Sequence, residues 1–422
     1  MTKSDHLLRI EPQPWMVDPA TLAVLDALAD GGAQARFVGG SVRDALLGQL
    51  IGDIDIATPA PPERVIELLE KRGIKVVPTG LAHGTVTAIA GTPPRRFEIT
   101  TLRRDVETYG RRARVAFDAD WAADAARRDF TINAIFLDPD GTVHDPVGGL
   151  ADLRARRVRF VGDPATRIAE DVLRILRYYR FEARFGTGLG DPPARAACRA
   201  LAHLLPNLSA ERVAQELVKL LETSDPAAAL QMMQEDDVLS VILPEARRLD
   251  RLRHLIAIEP EPDPLRRLAA LIEVDGPGAI ALAEHLHFSN AWRDRLHGLA
   301  APWPIDPSAD IAAQRRALYR LGTERYRDTA LLLAAEGAMS RDRLAELLTF
   351  ARNWTPPAFP LAGRDVTALG IPPGPRIGRL LNATREWWEA GDFTADRAAC
   401  LAHLKELAAA GIEFARVIRG GE

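Results

Sequence analysis

Between Arg36 and about Phe160, short apolar runs alternate with longer stretches of helical period. ARFV, DIDIA, KVVPT, TVTAIA and RFEITTL read as strands, each short and rich in β-branched or aromatic residues. SVRDALLG opens a helix directly behind two glycines, and PERVIELLEKRG is an amphipathic helix ended by glycine. FTINAIFLDPDGTVHDP reads as a hairpin around Asp138-Pro139-Asp140-Gly141. After Asp163-Pro164 the strand signal disappears. ATRIAEDVLRILRYYRFEARFG, SAERVAQELVKLLE and DPAAALQMMQ carry apolar residues three and four apart, and helices dominate from there on. Proline-rich stretches near Pro260–Pro264, Pro302–Pro307 and Pro356–Pro360 read as connectors between helical blocks. The pattern predicts a mixed α/β head followed by a long all-helical body.

Composition narrows the setting. The 422 residues are 47% hydrophobic and 27% charged, which is ordinary for a globular chain long enough for several domains. Cys198 and Cys400 stand far apart and outside any metal-ligand spacing, which excludes a disulfide framework and a cysteine-zinc site. The N-terminus lacks a basic-then-apolar leader and no apolar run is long enough for a bilayer, so the expected location is cytoplasmic, with no membrane contact. Net charge is −4, yet only five of the 54 basic residues are lysine. Guanidinium groups match phosphates with paired hydrogen bonds; biased codon usage explains the same excess.

The chemistry gathers in the head. Gly39-Gly40 lies between a strand and a helix, where glycine lets a ligand approach and the first free N–H groups point at it. Arg43, in the first turn, can add a charged fork. In Asp53-Ile54-Asp55-Ile56, alternation sends both carboxylates to one face and both isoleucines to the core. Two carboxylates in one direction suit a cation between them, and magnesium accepts phosphate oxygens as well. A solvated strand face is the competing reading. Glu98, in Phe97-Glu98-Ile99-Thr100, completes the site if its strand neighbours the first. Such a cluster is what two-metal phosphoryl transfer needs.

Taken in order, Gly39-Gly40-x-Val42-Arg43-Asp44, Asp53-x-Asp55 and Arg127-Arg128-Asp129-Phe130-Thr131-Ile132-Asn133-Ala134 resemble the class II tRNA nucleotidyltransferase and bacterial poly(A) polymerase family. The resemblance continues through Gly162-Asp163-Pro164, Glu170-Asp171-Val172-Leu173-Arg174, Leu361–Asp365 and Gly370–Pro375. It implies an α+β chain: a polymerase-β-like nucleotidyltransferase head with a mixed sheet over 18–160, then an all-α neck (161–222), body (223–353) and tail (354–422). It implies catalysis by Asp53, Asp55 and Glu98, with Mg2+ on the two aspartates. The implied partners are tRNA, CTP and ATP; no protein partner is evident.

The nucleotide-binding set implied by the family is Gly39, Gly40, Arg43, Arg128, Asp129, Asn133, Glu170, Asp171, Arg174 and Arg177. Arg128 is expected on the triphosphate and Asp129 on the ribose 2′-hydroxyl. Residues 170 to 177 read as one helix face on which Glu170 braces Arg174. Asp171 as acceptor and Arg174 as donor match cytosine and adenine, whereas uracil and guanine present the reversed order and leave both side chains unpaired. Routine helix ion pairs are the alternative. The segment Arg103–Arg112 is charged, lacks apolar periodicity and reads as a mobile loop, which the family uses to switch from C to A.

Poly(A) polymerases of the family carry a basic Arg-Arg-Phe-like segment where this chain has Val76–Thr85; the string Arg95-Arg96-Phe97 comes later, on the Glu98 strand. That favours CCA addition over poly(A) synthesis, with a catalytically silent RNA-binding protein as the third possibility. The one His-Asp pair, His144-Asp145, lies in the head hairpin, so the phosphohydrolase activity of some relatives is not expected. In the tail, the Pro-Gly loop before Arg376 offers a phosphate contact for a distant part of a tRNA, and Trp387-Trp388 reads as packing.

Overall fold

The computed structural model of the chain describes residues 8–81, 84–109, 112–117, 119–300 and 305–419. They fall into two compact units, the first running to Leu249 with Pro262–Pro264 and His285–Phe288, the second comprising the rest. The expected head and neck both lie in the first unit, and the expected body is divided near Leu249.

The first unit begins with α1 (Pro19–Asp30), capped by the Asp18 carboxylate on Ala20 N–H and started by a proline at its first position. β1 (Arg36–Val38), α2 (Gly40–Leu46), β2 (Ile54–Thr58), α3 (Pro62–Lys71), β3 (Lys75–Gly80), β4 (Thr85–Ala90) and β5 (Arg95–Thr101) follow. Later come α4 (Trp121–Ala126), β8 (Phe136–Leu137), β9 (Val143–His144) and α5 (Gly149–Arg154), after the ribbon β6–β7 described below. The main sheet has the order β3-β4-β5-β2-β1-β8-β9. β2 and β5 pair in parallel and the other neighbours antiparallel, so the sheet is mixed. Phe37, Ile54, Ile56, Phe97 and Ile99 are buried on one face, as are Leu28 of α1 and Val65 and Leu69 of α3, the helices that cover it. The hairpin expected around Asp138–Gly141 is the β8–β9 pair.

Two expectations are corrected. The segment read as a mobile loop forms β6 (Arg103–Tyr109) and β7 (Arg112–Phe117), an antiparallel ribbon separate from the main sheet. Backbone pairing requires no apolar face, so a charged sequence without periodicity can form it. Gly110 and Arg111, near the end of that segment, lie outside the described residues, as do Ala301–Pro304 of one proline-rich connector. The long helix expected across residues 165–186 is broken: α6 (Pro164–Glu170) stops at Asp171 and α7 (Arg174–Phe185) begins after it. Asp171 has φ −151° and ψ 105°, and its own carboxylate accepts from Leu173 N–H. A short acid that bonds its neighbouring backbone competes with the helix in this way.

The unit continues through α8 (Pro192–Leu201), α9 (Ala210–Leu221) and α10 (Ala227–Glu235). α7 carries much of its packing. Tyr178 stacks on Phe160, and Phe130 packs against both Phe160 and Phe181. Asp236, fully buried, accepts from Tyr179 Oη, Arg195 Nε and Arg199 Nη2, tying α7, α8 and the end of α10.

The second unit is helical, from Leu249–Ile256 to Arg397–Arg419. One core gathers Ile305, Leu318, Tyr326 and Leu347, another Leu361, Val366, Trp388 and Leu404. Trp388 is thus packing, as expected, while Trp387 stacks on His403.

Replacing Asp236 by Ala leaves two arginines and a tyrosine hydroxyl around an empty acceptor, at a cost of about 3 kcal/mol. A lower urea midpoint is expected. Asp250→Ala, which removes only an exposed pair with Arg253, should leave the midpoint nearly unchanged.

Candidate active site

The parallel register of β2 and β5 sets Ile54 beside Phe97, Asp55 beside Glu98 and Ile56 beside Ile99. The apolar members enter the core, so Asp53, Asp55 and Glu98 share the opposite face. Asp53 and Glu98 are exposed; Asp55 is half-buried. Burial, then the charge of Glu98, pushes the Asp55 carboxyl up to about 6, with Asp53 adding to the rise and Arg128 opposing it. An oxygen-only, mutually repelling set fits a hard divalent cation. Among the described residues no three His, Cys, Asp or Glu side chains converge as a closed cage.

On the β1 side of Asp55, the backbone comes close. Gly39 has φ +73°, and a Cβ there would sit 3.2 Å from Asp55 Oδ2 and 3.8 Å from Arg128 Nη1. The positive φ and the 3.2 Å approach both favour glycine. Arg43 does not present a fork to this space. It is buried, donates to Asp44 and, at 2.6 Å, to Asn133 Oδ1, and lies 4.0 Å over the Phe185 ring. α2 spans seven residues and packs so closely that this guanidinium is held inside, and burial lowers its pKa.

Arg127 and Arg128 do not open a strand. They follow the last residue of α4, Phe130 makes a single bridge to Phe160, and Thr131–Asn133 form a 3-10 turn. The reason is visible in the partners: Arg167 of α6 donates to the carbonyls of both Arg127 and Arg128, which removes them from strand pairing. Asp124, almost fully buried, accepts from both arginine side chains and aims Arg128 at the acids.

Asp129 is the best-connected carboxylate of the site. Oδ1 accepts from Phe130 N–H at 2.8 Å and Asn133 Nδ2 at 3.1 Å; Oδ2 accepts from Arg177 Nε at 2.9 Å and from its Nη2. Burial works to raise its pKa, but Arg177 and these donors bring it down to about 2. Residues 170–177, expected on one helix face, are held from separate sides of the break. Asp171 Oδ2 accepts from Arg212 of α9 at 2.7 Å, and Arg174 donates to Glu170 and to the Arg167 carbonyl. Arg174 N–H donates to the Asp171 carbonyl at 3.0 Å, but the two side chains do not pair with each other.

Three supporting residues were missed in the sequence. Asp124 lies three and four positions before its arginines, a spacing that could have been read; Arg167 stands three before Glu170. Arg212 is 41 residues from Asp171 and leaves no local signal.

A mixed-sheet head bearing paired strand acids, joined to helices, defines a polymerase-β-like nucleotidyltransferase. The Poly A polymerase head domain family matches residues 35–159, and a second family, described as Probable RNA and SrmB-binding site of polymerase A, matches residues 191–249. The chain is 34% identical over 391 residues to the mitochondrial CCA tRNA nucleotidyltransferase 1 of Homo sapiens, covering 88% of this chain and 87% of the relative. It is 33% identical over 376 residues to the CCA-adding enzyme of Levilactobacillus brevis, covering 85% and 90%. The crystal structure of the Bacillus stearothermophilus CCA-adding enzyme in complex with CTP superposes with a TM-score of 0.77 at 29% identity, covering 93% of this chain and 98% of that one. The chain belongs to the class II family of tRNA nucleotidyltransferases and bacterial poly(A) polymerases.

The Asp55 pKa has a measurable sign. Unfolded, the group ionises near 3.8; folded, near 6. Between those values the folded state holds the extra proton, so this group's contribution falls as pH rises through the window and is an unrelieved penalty above it. In chelator, Asp55→Asn should therefore melt at a higher Tm than wild type at pH 7.5, with the gap closing below pH 4. A series of thermal melts checks it; a lower Tm for the variant at pH 7.5 contradicts it.

Proposed function

We propose that this chain adds C, C and A to the 3′ end of tRNA from CTP and ATP without a nucleic-acid template, releasing pyrophosphate. The observation that carries the reading is the Asp55–Glu98 register, with Arg128 on one side of it and the Arg177-bound Asp129 adjoining. Asp53 and Asp55, with Glu98 beside them, would hold Mg2+, which would supply Lewis acidity at the attacking 3′-hydroxyl and the triphosphate.

The protein groups then have separate tasks. The Gly39-Gly40 backbone admits the triphosphate close to Asp55, and Arg128 neutralises it. Arg43 and Asn133 act one step back, by fixing α2 against the turn that carries Asp129. Asp129 is ionised at any working pH and holds Arg177 toward the nucleotide; its ribose contact requires one of its four present hydrogen bonds to be exchanged for the 2′-hydroxyl. Asp171 supplies acceptor oxygens for an exocyclic amino group. Arg174, whose Nη1 is engaged by Glu170 and the Arg167 carbonyl, offers Nε and Nη2 to the ring nitrogen. Cytosine and adenine complete this pattern, whereas uracil and guanine present donor and acceptor in the reversed order to both side chains, which disfavours them. Cytoplasm is the location we favour, a reducing compartment that suits two free, buried thiols.

Asp53→Ala should lower transfer of both C and A by on the order of a thousandfold or more while tRNA binding persists. Product length tests the function itself. A tRNA lacking its last three residues should gain two residues from CTP alone, and three from CTP plus ATP before halting. Long A tails from ATP alone would make the chain a poly(A) polymerase, and magnesium-dependent incorporation of nothing would make it a silent RNA-binding protein. Asp171→Ala should also narrow the preference for CTP over UTP; an equal loss of rate with every nucleotide contradicts the base-reading role.

A further inference from the structure

At the ends where β2 and β5 begin, a cavity of about 330 Å3 opens beside Asp53, lined by Trp15, Ile51, Arg95 and Arg96 among others. The register, carried one step back from the Ile54–Phe97 pair, sets Arg96 next to Asp53 on the face that holds Asp55 and Glu98. Its companions are engaged: Arg95 lies 3.6 Å from Asp18, and Trp15 stands edge-on to Phe37 with its indole N–H on Gln13. Arg96 is exposed, and its side chain makes no ion pair or hydrogen bond among the described residues. An arginine with a free fork, one register step from an acidic catalytic set, is placed to hold an anion that belongs to a substrate.

The side of the sheet identifies which substrate. Gly39, at the end of β1, and Arg128 flank Asp55 on the β1 side, where the proposed function puts the incoming triphosphate. Arg96, on β5, stands on the other side of the acids. In-line transfer requires the attacking hydroxyl and the leaving pyrophosphate on opposite sides of the reacting phosphorus. The β5 side is thus left for the attacking strand. Charged side chains beside an aromatic wall are also what a single-stranded RNA end binds, phosphates to the charge and base or sugar to the ring.

We propose that this cavity receives the 3′-terminal nucleotide of the acceptor RNA, with Arg96 as a positioning residue on the phosphodiester just behind the attacking 3′-hydroxyl. The inference rests on the nucleotidyltransferase reading and adds to it where the strand lies. In the step it serves, the 3′-oxygen bonds to the α-phosphorus as the bond to pyrophosphate breaks, and the hydroxyl proton passes to solvent. If Arg96 only balanced the acids electrostatically, its loss would alter turnover with both substrates alike.

The test is steady-state addition of C to a tRNA lacking its last three residues, by wild type, Arg96→Ala and Arg96→Lys, with KM measured separately for RNA and CTP. Loss of one charge-assisted phosphate contact should raise the RNA KM about tenfold in Arg96→Ala, leave the CTP KM within about twofold, and be largely restored in Arg96→Lys. The slope of log kcat/KM for RNA against log salt should also fall by about 0.7 in Arg96→Ala, the loss of one phosphate contact on a single strand. An active wild type whose Arg96→Ala variant keeps its RNA KM, or shifts both KM values equally, overturns this inference alone. A wild type that adds no nucleotide overturns the proposed function and this inference with it.

Discussion

The half-buried ion pair between Asp129 and Arg177 is the contact on which the site depends. It joins the turn that follows α4, on the sheet side, to α7, the first helix past the break. Phe130, the next residue, sits in the aromatic cluster with Phe160 and Phe181, so charge and apolar packing fasten the same turn to the same helix. Desolvating two charges is expensive, and the pair is tolerable because Asn133 and Phe130 N–H take up the remaining carboxylate capacity. Removing either partner leaves an uncompensated charge, which makes this join all-or-none rather than adjustable.

From that join a relay of hydrogen bonds runs outward. Asp124 holds Arg127 and Arg128; Arg167 holds their carbonyls and also Glu170; Glu170 holds Arg174. Each link is charge-assisted, and such links are stronger and more directional than neutral ones. Their effect is preorganisation: the groups proposed for triphosphate and base are fixed relative to one another before any nucleotide arrives, so little ordering remains to be done on binding. The helix break at Asp171 belongs to the same design. A continuous helix invites Asp171 and Arg174 to neutralise each other at i,i+3, whereas the break lets Arg212 and Glu170 hold them apart.

Much of this could be read from the chain alone. Alternation in Asp53–Ile56 and Phe97–Thr100 announced which side chains enter the core, and the sheet places Asp55 and Glu98 side by side as that reading required. Two-residue periodicity is a local property, so the strands of the head were legible. The β6–β7 ribbon was not, because it is held by backbone bonds between charged residues and carries no apolar signature. The helix break was hidden for a similar reason: periodicity runs on through residues 165–186, and one aspartate side chain overrides it. Arg43 shows a third limit. Its position behind Gly39-Gly40 suggested a ligand-facing fork, and only the packing of Phe185 and Asn133 around it reveals an inward one. Long-range partners such as Arg212 leave no trace within a helical turn of the residues they serve.

The central claim is that side chains on α7 and at the break before it read the base while the acids of β2 and β5 hold the metals. A diffraction structure of the protein with Mg2+ and a non-hydrolysable CTP analogue measures this directly. The account predicts metal density at Asp53 and Asp55, the triphosphate along Gly39-Gly40 and Arg128, and the cytosine amino and ring-nitrogen edge within hydrogen-bond distance of Asp171 and Arg174. A base edge facing solvent or another element, with the metals in place, contradicts it.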